Sequence, residues 1–236
     1  MPERDANDLQ KNIECLLNEA SSYQKVGQFR DAETLISQAR RLAKGNSQAS
    51  AEIDLFWAMS LIEQNKREQA LQILSAMLIE YGGWFKNPGG QDLYKLVQLQ
   101  RAFSLMHLER NHEARPLLEE AESFQFDGEV QSAIHCQLGR CYHELSLYTL
   151  AKPQFERAYA LGVTEDWQTV FHYYYGYTLY ELKDFQLAKR EFILCLQAGG
   201  SGPAPSMRYS MLAAASRKLG EHDEARFYEK KAEEVP

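Results

Sequence analysis

The densest chemistry in this sequence is aromatic. HYYYGYTLY, residues 172–180, places five tyrosines in nine positions. Each offers a broad apolar ring with a polar tip, which favours recognition surfaces; the bland alternative is a tightly packed helix whose hydroxyls reach neighbouring backbone. Upstream lie His135, Cys136, Arg140, Cys141 and His143. Cys136 and His143 are seven residues apart and share a helix face, but a tetrahedral metal site needs four convergent ligands, and His135 and Cys141 point elsewhere. No metal is expected, with Cys136 a small apolar filler and His143 a polar surface or groove residue. The sequence holds no GxSxG, GxxxxGK[ST], GxGxxG or HExxH pattern and no EF-hand loop, so no catalytic apparatus and no cofactor are expected.

Composition narrows the field further. In 236 residues, 26 Lys and Arg face 33 Asp and Glu, a net charge of −7, and no run of five like charges occurs. The basic footprint that a nucleic-acid backbone requires is missing. No apolar stretch approaches the roughly 20 residues that span a bilayer, and the opening MPERDANDLQ is polar where a secretion signal needs an apolar core. Neither nucleic acid nor membrane insertion is expected, and a cytoplasmic location is. Cys15, Cys136, Cys141 and Cys195 form no CxxC pair, so reduced thiols are expected.

The elements that must position these residues are helical. Apolar residues recur three and four apart, and glycines gather at 82–90 and 199–202. Six alanines set a register: Ala32, Ala70, Ala114, Ala151, Ala188 and Ala225, separated by 38, 44, 37, 37 and 37 residues. Twelve residues before each stands a small residue, Ala20, Ala58, Ala102, Gly139, Gly176 and Ala213. Four after stand Ile36, Leu74, Leu118, Phe155, Phe192 and Glu229; seven after stand Ala39, Met77, Ala121, Ala158, Cys195 and Ala232. The pattern predicts six helical hairpins in which small residues let two axes approach and large ones fill the space between neighbouring hairpins.

On these residues the sequence resembles the tetratricopeptide repeat (TPR) family. The fourth repeat carries Leu138, Gly139, Tyr142, Tyr148, Ala151, Phe155 and Ala158; the fifth carries Tyr175, Gly176, Leu179, Phe185, Ala188 and Phe192; the first carries Tyr23, Gly27, Phe29, Ala32 and Ala39. The likeness runs from about residue 8 to 234. It implies an all-α fold, a right-handed α-solenoid of about six TPR-like hairpins forming one domain over 1–236. The repeats would fall at about 13–50, 51–94, 95–131, 132–168, 169–205 and 206–236.

Several features depart from the family. Its period is about 34 residues, so the spacing of 37 calls for a turn or helix end about three residues longer. Arg67, Asn111 and His222 replace the turn aromatic, and Glu229 suits a solvent-facing terminal cap. Pro116 and Pro153, each two residues after an anchor alanine, are expected in the first turn of the second helix. GGSGPAP (199–205) reads as a turn and YGGWFKNPGGQDLY (81–94) as an enlarged loop. Its Trp84 and Phe85 are expected to bury against the neighbouring repeat, exposure being the interaction-site alternative.

By the same resemblance one face of each first helix lines the concave side. Positions 15, 11 and 8 before the anchors form an i, i+4, i+7 stripe: apolar in the second and third repeats, aromatic in the fifth, cationic in the fourth and sixth. The groove residues are then Leu55, Met59, Leu99, Phe103, Met106, Arg140, His143, Tyr173, Tyr177 and Tyr180, with Arg217 and its neighbour Lys218. For Leu55 and Leu99 a core role is the competing reading. The cations beside the tyrosines lead to the expectation of a partner with acidic and apolar side chains. The function expected is a non-catalytic adaptor, scaffold or chaperone-like subunit, monomer or homodimer, binding a peptide or partner helix. The alternatives are a structural subunit assembling through its convex face or termini, or a regulatory subunit of an enzyme complex.

Overall fold

The computed structural model describes residues 2–235, with side chains from residue 9 onward. Among the described residues all regular structure is helical. The chain divides into two compact units, Met1–Arg110 and Asn111–Pro236. The first holds α1 (Pro2–Lys25), α2 (Phe29–Leu42), α3 (Ser47–Glu63), α4 (Arg67–Glu80), a single turn α5 (Gly82–Phe85), a short 3-10 turn (Pro88–Gly90) and α6 (Gln91–His107). The second holds α7 (Asn111–Glu122), α8 (Gly128–Glu144), α9 (Tyr148–Leu161), α10 (Glu165–Glu181), α11 (Phe185–Ala198), α12 (Pro205–Lys218) and α13 (His222–Glu234). Successive helices pack as antiparallel pairs, α1 with α2 and α3 with α4 in the first unit, α8 with α9, α10 with α11 and α12 with α13 in the second.

Every turn into an outer helix has one geometry. The residue five before each anchor alanine is left-handed: Gly27 (φ 76°), Asn65 (60°), Glu109 (58°), Ser146 (59°), Lys183 (66°) and Gly220 (82°). Its N–H and the next one donate back to the closing inner helix; Ser146 N bonds His143 O and Leu147 N bonds Tyr142 O, both at 2.8 Å. This pair of bonds satisfies carbonyls that the helix end leaves free. The outer helix then starts three residues before the anchor in all six cases, at Phe29, Arg67, Asn111, Tyr148, Phe185 and His222.

That start corrects the placing of the prolines. Pro116 and Pro153 lie inside their helices, at the sixth residue rather than in the first turn, so the carbonyls of His112 and Thr149 lose their usual intrahelical donor. The repeat boundaries at 132 and 169 likewise fall inside α8 and α10. The link between α9 and α10 is only residues 162–164 and α10 has 17 residues, whereas the link between α11 and α12 is residues 199–204 and α12 has 14, so the longer period is helical in one repeat and lies in the turn in the other.

Side-chain volume explains the pairing. All six anchor alanines are buried. In the first unit the small inner residue is alanine, Ala20 or Ala58, and the outer residue in the same core is Ile36 or Leu74. In α8 and α10 it is glycine and the outer residue is phenylalanine. A Cβ on Gly139 would stand 3.0 Å from the Phe155 ring, and one on Gly176 would stand 2.9 Å from that of Phe192. The larger ring occupies the space of the missing methyl.

The enlarged loop folds onto the first unit. Phe85 is buried and Trp84 half-buried against the core of α3 and α4. A Cβ on Gly90 would lie 2.5 Å from the Trp84 carbonyl oxygen, so the loop closes on itself at a residue that has no side chain.

Two outcomes follow from this packing. Ala151→Leu or Ala188→Leu overpacks the hairpin contact and lowers stability by about 1–3 kcal/mol, read as a shift of the urea midpoint. Lys183→Gly relieves a left-handed lysine whose conformation costs about 1–2 kcal/mol. After the entropy lost with glycine, the variant gains about 0.5–1 kcal/mol in the same measurement.

Candidate functional site

In the second unit α8 and α10 lie side by side, pointing the same way. Arg140 sits over Tyr174, its guanidinium carbon 5.1 Å from the ring centroid, and three residues later His143 stacks against Tyr177 at 4.7 Å. Contacting residues are thus 34 apart while the repeat is 37, so neighbouring inner helices are staggered by nearly a turn.

His143 is the hub. Its ring meets Tyr148 at 5.3 Å and Tyr174 at 5.4 Å as well as Tyr177. Its Nδ1 lies 3.0 Å from the Thr178 hydroxyl, whose single proton is donated to the Tyr174 carbonyl at 2.8 Å. Thr178 can therefore only accept from His143, which fixes the Nδ1–H tautomer and leaves the lone pair on Nε2. Burial pushes the imidazole pKa down to about 4, so the ring is uncharged at neutral pH. The cationic stripe expected from the fourth repeat is then one guanidinium, not two cations.

The tyrosines separate into two sets. Tyr173 is buried against Phe192 of α11 at 6.3 Å and edge-on to Tyr177 at 6.2 Å; burial pushes its hydroxyl up to about 12. Tyr180 packs on Phe185 at 5.3 Å. Tyr174 and Tyr177 contact α8 and are also packed, half-buried, against the core of α10, α11 and α12. Burial raises the Tyr174 hydroxyl pKa, and Arg140 and Glu144 both act on that hydroxyl. Glu144, Tyr148, Tyr174 and Thr178 lie outside the groove stripe read from the sequence. Only the stagger between α8 and α10 brings them together, and that is a tertiary quantity.

On α12, Arg217 forms an ion pair with Glu229 of α13, and Lys218 is exposed. In the first unit Leu55, Leu99 and Met106 are buried, while Met59 is exposed and Phe103 half-buried. Leu55 sits in the core of α3 and α4. The three buried side chains therefore support the inner helices from behind and offer no surface to a ligand in this conformation.

The other polar groups of interest are structural. His135 Nδ1 bonds Gln154 at 2.8 Å, and His172 Nδ1 bonds Glu191 at 2.7 Å. Each tie spans 19 residues from inner to outer helix, one device used in two consecutive repeats. Burial pushes the Cys136 thiol up to about 12 and those of Cys141 and Cys195 to about 11, values unsuited to a nucleophile. Cys141 donates to the Asn111 carbonyl and Cys195 to that of Thr169, each at 3.3 Å. Among the described residues no three His, Cys, Asp or Glu side chains are grouped to hold a metal ion. Nor is any helix there long and apolar enough to cross a membrane.

These hairpins, with small inner residues, anchor alanines and a left-handed turn, have the fold of tetratricopeptide-type helical repeats. The chain is similar in structure to PilF of Pseudomonas aeruginosa, with a TM-score of 0.69 and 16% identity over 94% of this chain and 90% of that one. PilW, described as a widely conserved type IV pilus biogenesis factor, superposes with a TM-score of 0.66 and 14% identity over 93% and 91%. A point mutant of MamA does so with 0.62 and 19% over 81% and 100%. No protein-family model matches the sequence, and no curated protein sequence matches it either.

The state of His143 has a measurable consequence. The folded protein holds this proton less tightly than the unfolded chain, whose ordinary histidine pKa is about 6.5. Stability therefore falls as pH drops from about 6.5 to about 4, by at most about 1.4 kcal/mol per pH unit, and this contribution is flat above. Urea midpoints of the wild type and His143→Gln across that range should differ in slope, the variant losing less on acidification.

Proposed function

We propose that the protein is a non-catalytic adaptor or scaffold that binds a segment of a partner protein on the inner-helix face of its second unit. One observation carries this: two adjacent helices bring half-exposed Arg140, Tyr174 and Tyr177 together over a buried His143, with buried, unreactive thiols beside it. Rings of this kind supply large contact area at little conformational cost, as binding hot spots do. The fold likeness to a pilus biogenesis factor supports an assembly role of the same general kind. The net charge of −7 favours a protein partner over nucleic acid.

A photo-crosslinking residue tests the reading. Placed at Tyr177 it should capture a partner in cells, while the same residue at Leu187, exposed on the outer helix α11, should not. With that partner purified, Tyr177→Ala raises the off-rate and weakens binding by about 2 kcal/mol or more. Crosslinks from position 187 alone would move the interface to the outer helices.

A further inference from the structure

The partner's chemistry can be read from the ends of α8 and α10. Both helices terminate on a glutamate, Glu144 and Glu181, and both carboxylates are exposed. A helix C-terminus already carries partial negative charge from its free carbonyls, so an acidic side chain there deepens a negative field and works against the helix itself. Because α8 and α10 run side by side in one direction, the two ends and the two carboxylates come to the same edge of the face. The rings between them are those of Tyr148, Tyr177 and Tyr180. Burial raises the Tyr177 hydroxyl pKa, and the charged groups that act on that hydroxyl are Glu181 and Glu144.

Arg140 is the only lysine or arginine within α8 and α10, and Lys183 follows, exposed, in the turn after α10. Arg140 is a turn further back on α8, its guanidinium laid on Tyr174. His143 is buried and neutral at physiological pH, so it adds no positive charge to the face. Tyr148, Tyr177 and Tyr180 are half-exposed, and accessible tyrosine ring faces attract cations through their quadrupole, the more so beside carboxylates. On charge complementarity the site suits a positive group and repels a carboxylate. This reverses the acidic partner expected from the sequence, where His143 counted as a cation.

We propose that the ring face of Tyr177, between Glu144 and Glu181, receives a lysine or arginine side chain of the partner segment. The proposal rests on the inner-helix face being the docking surface and adds the identity of one anchoring side chain. Arg217 and Lys218 on α12 lie outside this pocket, and contribute only to the charge pattern further along the segment.

The probes are acetylated, amidated synthetic peptides sharing one Ala and Leu frame and bearing Lys, Gln or Glu at the same positions, followed by anisotropy of a neutral dye on the full chain. The Lys peptide should bind on the order of tenfold more tightly than the Gln peptide at low salt, and the Glu peptide more weakly than either. Glu144→Gln with Glu181→Gln should abolish the preference. Tyr177→Leu, which leaves every charge in place, should reduce it several-fold. Preference for the Glu peptide, equal or absent binding of all three, or a Lys preference that survives both variants would overturn the assignment. The last result would make the attraction a property of the overall negative charge. If crosslinks from position 177 still capture a partner in any of these cases, only the cation is wrong; if they do not, the docking face falls with it.

Discussion

The close approach of inner and outer helix within each hairpin is the constraint on which the rest of the structure depends. In α8 and α10 the approach is so tight that a phenylalanine ring from the outer helix fills the place of a Cβ on the inner one. Protein interiors are packed to crystal-like density, so the two residues must be chosen together. Glycine takes phenylalanine; alanine, at Ala20 and Ala58, takes isoleucine or leucine. The anchor alanine and the small residue seven later repeat the same requirement on the outer helix. A hairpin so closed has no interior left for a cofactor, and its polar surface is pushed to the helix faces that no neighbour covers.

This constraint was legible in the sequence because it is written in residue size at fixed spacing. Six small residues twelve before six alanines, and large apolar ones four after, require no knowledge of neighbours in space. The turns were not legible in the same way. Their left-handed residue is glycine only at Gly27 and Gly220; at Asn65, Glu109, Ser146 and Lys183 side chains accept a conformation they disfavour because two backbone bonds and the packed helix pair hold them there. A search for glycines finds two of six turns. The outer-helix starts, and with them the positions of Pro116 and Pro153, depend on those turns and were displaced for that reason.

The candidate site could be read from the sequence by helix face but not by register. Counting back from the anchors puts Arg140, His143 and Tyr177 on the inner side of their helices. What counting cannot supply is the stagger of α8 against α10, which pairs residues 34 apart and brings in Tyr174, Thr178 and Glu144. Nor can it supply protonation. A histidine read as a surface cation becomes a neutral acceptor once three rings and a threonine surround it, and the sign of the charge offered to a partner changes with it. In the first unit the same counting selected Leu55, Leu99 and Met106, which the core claims. A stripe alone does not distinguish a buried apolar face from an exposed one.

The hairpin contact also decides which way each tyrosine of α10 faces. Residues advance about 100° around a helix, and Gly176 must face Phe192. Tyr173 and Tyr180, three before and four after, then fall within about 60° of that direction, and they do pack on Phe192 and Phe185 of α11. Tyr175 is turned about 100° to one side and meets Phe155 and Phe171. Tyr177 is turned about 100° to the other side and Tyr174 points nearly opposite the glycine, which aims both at α8 and its glutamate-tipped end. One glycine, required by one phenylalanine, thereby turns three tyrosines toward the outer helices and two toward α8, and Tyr173 alone of the five is fully buried.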